Sequence, residues 1–208
     1  MLPSIIPIFP LPNVVLFPSV FLPLHIFEPR YREMLSDALK GDRIIGMVLV
    51  KKRQTDPVEP PAIYPVGCAG LISHAETLPD GRSNIILRGM QRFRVGWEEH
   101  DRAYRRAHIE PLPEIATDTI RDDVRTARSK LEALLRGRLE TAGGEAMVPE
   151  DMHDEDLINT LAQYLDLDPV EKQALLERDD IAQRSLALIE LTEMRALTTQ
   201  PLDGLGLQ

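Results

Sequence analysis

Apolar side chains in the first part of this chain come in short runs cut by proline, and in the second part they recur at helical spacing. Between Met1 and Leu24 the prolines are Pro3, Pro7, Pro10, Pro12, Pro18 and Pro23. Proline donates no backbone hydrogen bond and fixes its own φ, so such runs suit strand starts, edges and bulges rather than helices. The pattern predicts short, kinked strands at Ile5–Phe9, Val14–Phe17 and Phe21–Ile26. At Glu28-Pro29 it changes, with proline at a favoured first helical position and Tyr31, Met34, Leu35, Ala38 and Leu39 forming one apolar stripe. This predicts a helix lying on a core.

The β-branched run from Arg43 to Val50 predicts a buried strand. A segment with Lys51, Lys52, Arg53, Pro57, Pro60 and Pro61 interrupts it, and with no periodicity it reads as an exposed loop over residues 51–62. Val66 to Leu78 resumes strand character, with Gly67 and Gly70 permitting bends. Leu78-Pro79-Asp80-Gly81-Arg82 reads as a turn, since Pro79 presets φ and Gly81 tolerates a positive one. Beyond it Ile85, Leu87, Gly89, Phe93, Val95 and Trp97 alternate with Arg88, Arg92 and Arg94. The first set is expected in the core and the arginines on one basic face. Tyr104 to Leu112 supplies another strand, ended by Pro111 and Pro113.

From Thr117 the period becomes helical, with Val124, Leu131, Leu134, Leu135 and Leu139 in a long helix that Gly143 and Gly144 terminate. Three shorter helices follow. Asp154 is expected to cap the first, Asp168 with Glu171 to form a capping box on the second, and Asp180 with Gln183 to do the same on the last. In that last helix Leu186, Ile189, Leu191, Met194 and Leu197 are expected to pack. The change of period near Pro113 divides the chain into a β-rich subdomain over residues 1–115 and an α-helical bundle over residues 116–208.

Residues 7–35, PIFPLPNVVLFPSVFLPLHIFEPRYREML, resemble the opening of the Lon N-terminal, substrate-binding domain in its free-standing bacterial form. Residues 66–95, with Gly89-Met90-Gln91-Arg92-Phe93 as a Gly-x-x-Arg-Phe strand, resemble the second half of that domain's barrel. The resemblance extends over residues 5 to 200 or so. It implies an α+β fold, a PUA-like small β-barrel with one helix followed by a helical bundle. It also implies a non-catalytic module that binds polypeptide or protein partners in connection with proteolysis or protein quality control. The alternative is RNA binding, which PUA-like barrels perform elsewhere.

Charge bears on that choice. Up to Pro113 there are 14 Lys and Arg against 12 Asp and Glu, and from Glu114 onward 10 against 21, a balance of +2 and then −11. Affinity for nucleic acid depends largely on cations that neutralise phosphates, so the acidic half makes nucleic acid an improbable partner. The sequence lacks GxxxxGK[ST], and Lys40, Lys51, Lys52, Lys130 and Lys172 lie in polar stretches or on helix surfaces. Neither a phosphate-cradling loop nor a lysine suited to general-base work is evident, so no enzymatic activity is expected.

His25, His74, His100, His108 and His153 are scattered without metal-ligand spacing, and the single Cys68 leaves no disulfide. No metal or cofactor is expected. With no apolar run near the roughly 20 residues that span a bilayer, the expectation is a soluble, cytoplasmic protein with no membrane partner. Lys51, Lys52 and Arg53 on the loop and Arg88, Arg92 and Arg94 on the basic face are the candidate partner-binding residues. Glu28 and Arg30, in the signature Glu28-Pro29-Arg30-Tyr31, are candidates for a polar pocket.

Overall fold

A computed structural model of the chain describes residues 2–51, 60–115, 117–142 and 152–198. The elements are β1 (Ile5–Leu11), β2 (Phe21–Ile26), α1 (Pro29–Lys40), β3 (Ile44–Leu49), β4 (Val66–Thr77), β5 (Ser83–Glu99), β6 (Arg106–Leu112), α2 (Asp118–Ala142), α3 (Asp154–Tyr164), α4 (Pro169–Leu176) and α5 (Ile181–Thr198). Two compact units interleave along the chain. One comprises Met1–Pro113 with Asn159–Glu177, the other Glu114–Ile158 with Arg178–Gln208. Residues 159–177 thus group with the strands, whereas the sequence reading assigned them to the helical half.

The first unit is built on a six-stranded mixed sheet in the order β2-β5-β4-β3-β1-β6, with β6 also paired to β5. Among the described strands only β1 and β3 pair in parallel. β1 divides its pairing, Ile5 to Pro7 with β6 and Ile8 to Leu11 with β3, so neither Pro7 nor Pro10 has a ladder on both sides. That arrangement lets a strand carry two residues without N–H donors. Leu2, Ile6, Ile8, Ile44, Val48, Ala69, Phe93 and Ala107 form one buried apolar cluster.

Helix α1 buries Tyr31, Met34, Leu35 and Ala38, while Leu39 is only half-buried rather than enclosed as its place in the stripe suggested. Leu35 is 4% exposed. Leu35→Ala should therefore cost about 2–5 kcal/mol of unfolding free energy, the usual range for emptying a buried leucine site. Urea unfolding followed by circular dichroism checks this, and a loss below about 0.5 kcal/mol would mean the site is not a packed one.

Val14–Phe17 is not a strand. Val15, Leu16 and Phe17 are buried all the same. Buried backbone groups need partners, and here the Gln163 side chain on α3 supplies them: its Nε2 donates to Val15 O at 2.9 Å, and its Oε1 accepts from Phe17 N at 3.1 Å. One carboxamide thus replaces a ladder. Close by, a Cβ at Gly89 would run into the carbonyl of Phe17, so only glycine lets β5 pass this segment.

The turn after β4 forms as its residues dictate. Gly81 has φ +80, Gly81 N donates to Leu78 O at 2.9 Å, and Leu78 N donates to Arg82 O at 2.8 Å.

In the second unit α2 buries Val124, Ala127 and Leu131. Arg128 joins α2 to the start of α3, with Nη1 donating to Asp154 Oδ1 at 2.9 Å and also to Met152 O, and Nε donating to Glu132 at 2.7 Å. These carboxylates raise the Arg128 pKa further. Asp154 is therefore a first-turn residue with an arginine partner rather than the expected cap.

The Asp180 cap on α5 forms differently from a capping box: its carboxylate accepts both Gln183 N at 2.8 Å and Gln183 Nε2 at 3.2 Å. The buried stripe of α5 is Ile181, Arg184, Ser185, Leu188, Ile189 and Thr192, while Leu186 and Met194 are exposed, contrary to expectation. Side-chain packing of Leu139 and Leu197, and the stop at Gly143 and Gly144, lie outside the described residues.

Candidate protein-binding surface

The two members of the expected polar pocket meet each other. Arg30 Nη2 lies 2.9 Å from Glu28 Oε2, both side chains are substantially exposed, and the guanidinium stacks over Tyr31 with 4.6 Å from Cζ to the ring centroid. Glu28 occupies the N-cap position of α1 without a side-chain cap bond. Its carboxylate near the helix start serves an arginine and not the first-turn amides.

The loop expected at residues 51–62 has a defined neck. Lys51 N donates to Ala62 O at 2.8 Å, Val50 and Ile63 form an antiparallel bridge, and Lys51 Nζ sits 5.4 Å from the Tyr64 ring centroid. Lys52 and Arg53 lie outside the described residues.

The three arginines of β5 do not share one basic face. Arg88 and Arg94 are exposed, but Arg92 is 2% exposed. Between the pairs Gly70–Gly89 and Ala69–Gln91 the register slips, leaving Met90 without a partner. The alternation set by Ile85, Leu87 and Gly89 therefore does not carry through to Arg92.

The Nη1 of Arg92 donates to Leu176 O, the carbonyl of the last residue of α4, at 3.0 Å. That carbonyl has no partner inside its own helix, and a cation suits the negative end of the helix dipole. Arg92 is thus a structural cap and not a contact residue for a partner, which corrects its place among the candidates. Arg88 lies directly across from Phe21, and Arg94 across from Glu110.

Polar side chains of residues 159–177 hold the strands in ways the apolar pattern does not reveal. Gln173 Nε2 donates to Val66 O at 2.9 Å, and Tyr164 OH donates to Phe21 O at 2.8 Å. The only signal in the sequence was glutamine on otherwise apolar helix faces.

The same unit exposes several large apolar groups, among them Phe21, Phe27, Trp97 and Tyr164. Trp97, 61% exposed, stacks on His108 with 3.5 Å between ring centroids, and His108 Nε2 lies 3.2 Å from Glu99 Oε1. A register shift between Val95 and Glu98 turns this tryptophan out of the alternation. Its expected place in the core is therefore not realised.

A cleft of about 400 Å³ is lined by Pro3, Ile5, Asp37, Lys40, Arg102 and Tyr104, among others. Tyr104 OH donates to Asp37 Oδ2 at 2.9 Å, and Arg102 approaches the same oxygen at 3.6 Å. Burial, together with the Asp37 carboxylate, pushes the Tyr104 phenol up to about 12. It stays protonated at neutral pH and is no base. Among the described residues no group of three His, Cys, Asp or Glu side chains could hold a metal ion, and no helix is long and apolar enough to cross a membrane.

A match to the family described as the ATP-dependent protease La (LON) substrate-binding domain spans residues 5–193. Relatives include the Lon protease of Cytophaga hutchinsonii, 28% identical over 196 residues that make up 92% of this chain and 24% of that protein. The Lon protease of Dictyoglomus thermophilum is 28% identical over 195 residues, 88% of this chain and 23% of that protein. The chain thus spans about a quarter of the length of the curated relatives it matches.

Among solved structures, the N-terminal domain of the Mycobacterium avium complex Lon protease superposes with a TM-score of 0.68 at 19% identity, covering 91% of this chain and 98% of that one. A Lon N-terminal domain protein from Xanthomonas campestris gives 0.63 at 23% identity, covering 95% and 99%. Both superpositions bear out the α+β fold of the sheet and helices described above.

Proposed function

We infer, for a chain that belongs to the ATP-dependent protease La (LON) substrate-binding domain family, that it is a non-catalytic module that binds polypeptide segments in connection with proteolysis. The observation that carries this reading is the family match over residues 5–193, which takes in strands and helices alike. The pairing of β6 with both β1 and β5 supports a PUA-like closed barrel within the sheet. Exposed Phe21, Phe27, Trp97 and Tyr164 offer the apolar contact that unfolded chains present, since aromatic side chains dominate contact energetics between proteins. Lys51, Arg88 and Arg94 add separate cationic points on the same unit, and Lys52 and Arg53 remain candidates outside the described residues. Cys68, a buried thiol outside any disulfide, suits a reducing cytoplasm.

RNA binding is the second reading, favoured by Trp97, whose ring is exposed in the way a base-stacking platform requires. The acidic half weighs against it.

One set of equilibrium measurements separates these. Fluorescently labelled unfolded casein should bind the purified protein, a folded control should not, and a single-stranded RNA should bind only at low salt. The same preparation should neither hydrolyse ATP nor cleave casein. Salt-resistant RNA binding without casein binding would replace the first reading by the second, and casein cleavage lost on a point mutation in this chain would overturn the non-catalytic assignment.

A further inference from the structure

The sheet ends at β2, which among the described residues pairs only with β5. Gly89 N donates to Val20 O at 2.8 Å, just before β2, and this sets which residues face the ladder. By the alternation of an antiparallel pair, Leu22, Leu24 and Ile26 direct their backbone groups to β5, while Phe21, Pro23 and His25 direct theirs to the open edge. The bond from Tyr164 OH to Phe21 O agrees, because it reaches that carbonyl from outside the sheet. Among the described residues no bond reaches the carbonyl of Pro23 or the N–H and the carbonyl of His25 on that side. Unpaired edge groups of this kind are completed by the backbone of another extended chain.

The side chains along the same stretch define the chemistry of the guest. Inward from that edge, Pro23, Leu24 and His25 of β2, Ile85 and Ile86 of β5 and His74 of β4 line most of a shallow, largely apolar groove of about 410 Å³ over the face of the sheet, which a side chain of the guest reaches from the edge. Phe27, 59% exposed, lies beside His25 with ring centroids 6.2 Å apart. Two of the nearby charge pairs are made within the protein, Glu28 with Arg30 at 2.9 Å and Asp80 with Arg82 at 2.6 Å, while Arg88 lies across from Phe21 at the start of β2 and Glu76 across from Asn84 on the far side of β5. The Arg82 guanidinium holds the Asp80 carboxyl below its ordinary range, so that pair stays ionised. A charged guest would find no free counter-charge in these pairs, and an uncharged one would lose nothing.

We propose that the open edge of β2, from Pro23 to Phe27, takes up an uncharged, apolar, extended polypeptide segment as an added β-strand. The guest donates an N–H to the Pro23 carbonyl, exchanges bonds with His25, and lays a side chain against Pro23 and Phe27. This rests on the polypeptide-binding reading above and gives it a place and a mode. A second copy of the chain fits less well. A stable dimer needs roughly 800 Å² from each partner, and a six-residue strand with proline near its middle offers little edge for one.

The test uses an end-capped fluorescent peptide of alternating valine and threonine, read by anisotropy on the full chain. His25→Ala removes the imidazole and keeps the N–H, whereas His25→Pro removes the edge donor at a position where an edge strand tolerates proline. The alanine variant should bind within about threefold of the parent and the proline variant about tenfold more weakly, the worth of one hydrogen bond and its stranded acceptor. In the unmodified chain, peptide binding should slow hydrogen exchange at the His25 amide, which decides the matter even if the proline variant fails to fold.

Equal affinity of the two variants together with an unchanged His25 amide would overturn the proposal while leaving polypeptide binding intact. Failure of the parent to bind either the peptide or unfolded casein would overturn both. Concentration-dependent dimerisation abolished by His25→Pro, with no peptide binding, would assign the edge to a second copy and overturn the proposal.

Discussion

Replacing Gln163 by leucine should destabilise the protein by about 2–5 kcal/mol, although leucine is apolar, of similar size and better suited to a buried helix face. The reason lies in the segment it serves. Val15, Leu16 and Phe17 are buried outside any strand ladder, and the carboxamide of Gln163 satisfies one acceptor and one donor there. Leucine would leave Val15 O and Phe17 N–H buried and unpaired, each at about 1–3 kcal/mol. Gln163→Glu keeps an acceptor for the Phe17 amide but sets a carboxylate against the Val15 carbonyl, so it should fall no nearer to the parent. Urea unfolding monitored at two wavelengths gives the free energies. A leucine variant within about 0.5 kcal/mol of the parent would show that water or a shift of the segment replaces the clamp.

Gln163 also marks where pattern reading fails. Apolar runs and prolines located β1, β2, β3 and the starts of β4 and β5, because burial and missing N–H groups act locally. They identified Val14–Phe17 as a strand, because an apolar run looks the same whether a strand or a side chain completes its hydrogen bonds. The helix at Pro29 was legible from a stripe at fixed spacing. The stripe of α5 was not, since Arg184, Ser185 and Thr192 occupy buried places that a hydrophobic pattern assigns to Leu186 and Met194.

Arg184 is fully enclosed and pairs with Glu114 at 2.8 Å, an interaction 70 positions apart that no local pattern contains. The same limit applied to the candidate site. Alternation through β5 put Trp97 inside and Arg92 outside, and two register shifts reversed both. The open edge of β2 was beyond reach for a related reason, since which strand ends a sheet is a property of the pairing order and not of the strand.

Arg92 and Arg94, two residues apart on one strand, should answer the same charge reversal in opposite ways. Arg92→Glu places a carboxylate in a site that is 2% exposed and faces the Leu176 carbonyl. It removes the cap of α4, reverses the sign of charge at the negative end of that helix and buries an anion without its cation, a change expected to cost about 3–5 kcal/mol. Arg94→Glu stays in solvent and meets Glu110 across one ladder and Val66 across the other, so its cost should not exceed about 1 kcal/mol.

Binding should follow the same division. A folded Arg94→Glu protein should lose some affinity for acidic unfolded chains, with less dependence on salt, because an exposed cation acts through a screened field. Any loss with Arg92→Glu should instead track the fraction unfolded and disappear when affinity is corrected for it. Arg92→Met keeps the volume and surrenders the charge and the hydrogen bond, so its stability should lie between the parent and the glutamate variant. Thermal unfolding of the three variants, paired with casein titrations at two salt concentrations, separates the cap from the surface. Equal destabilisation by Arg92→Glu and Arg94→Glu would mean that α4 does not rely on the arginine beneath its last turn.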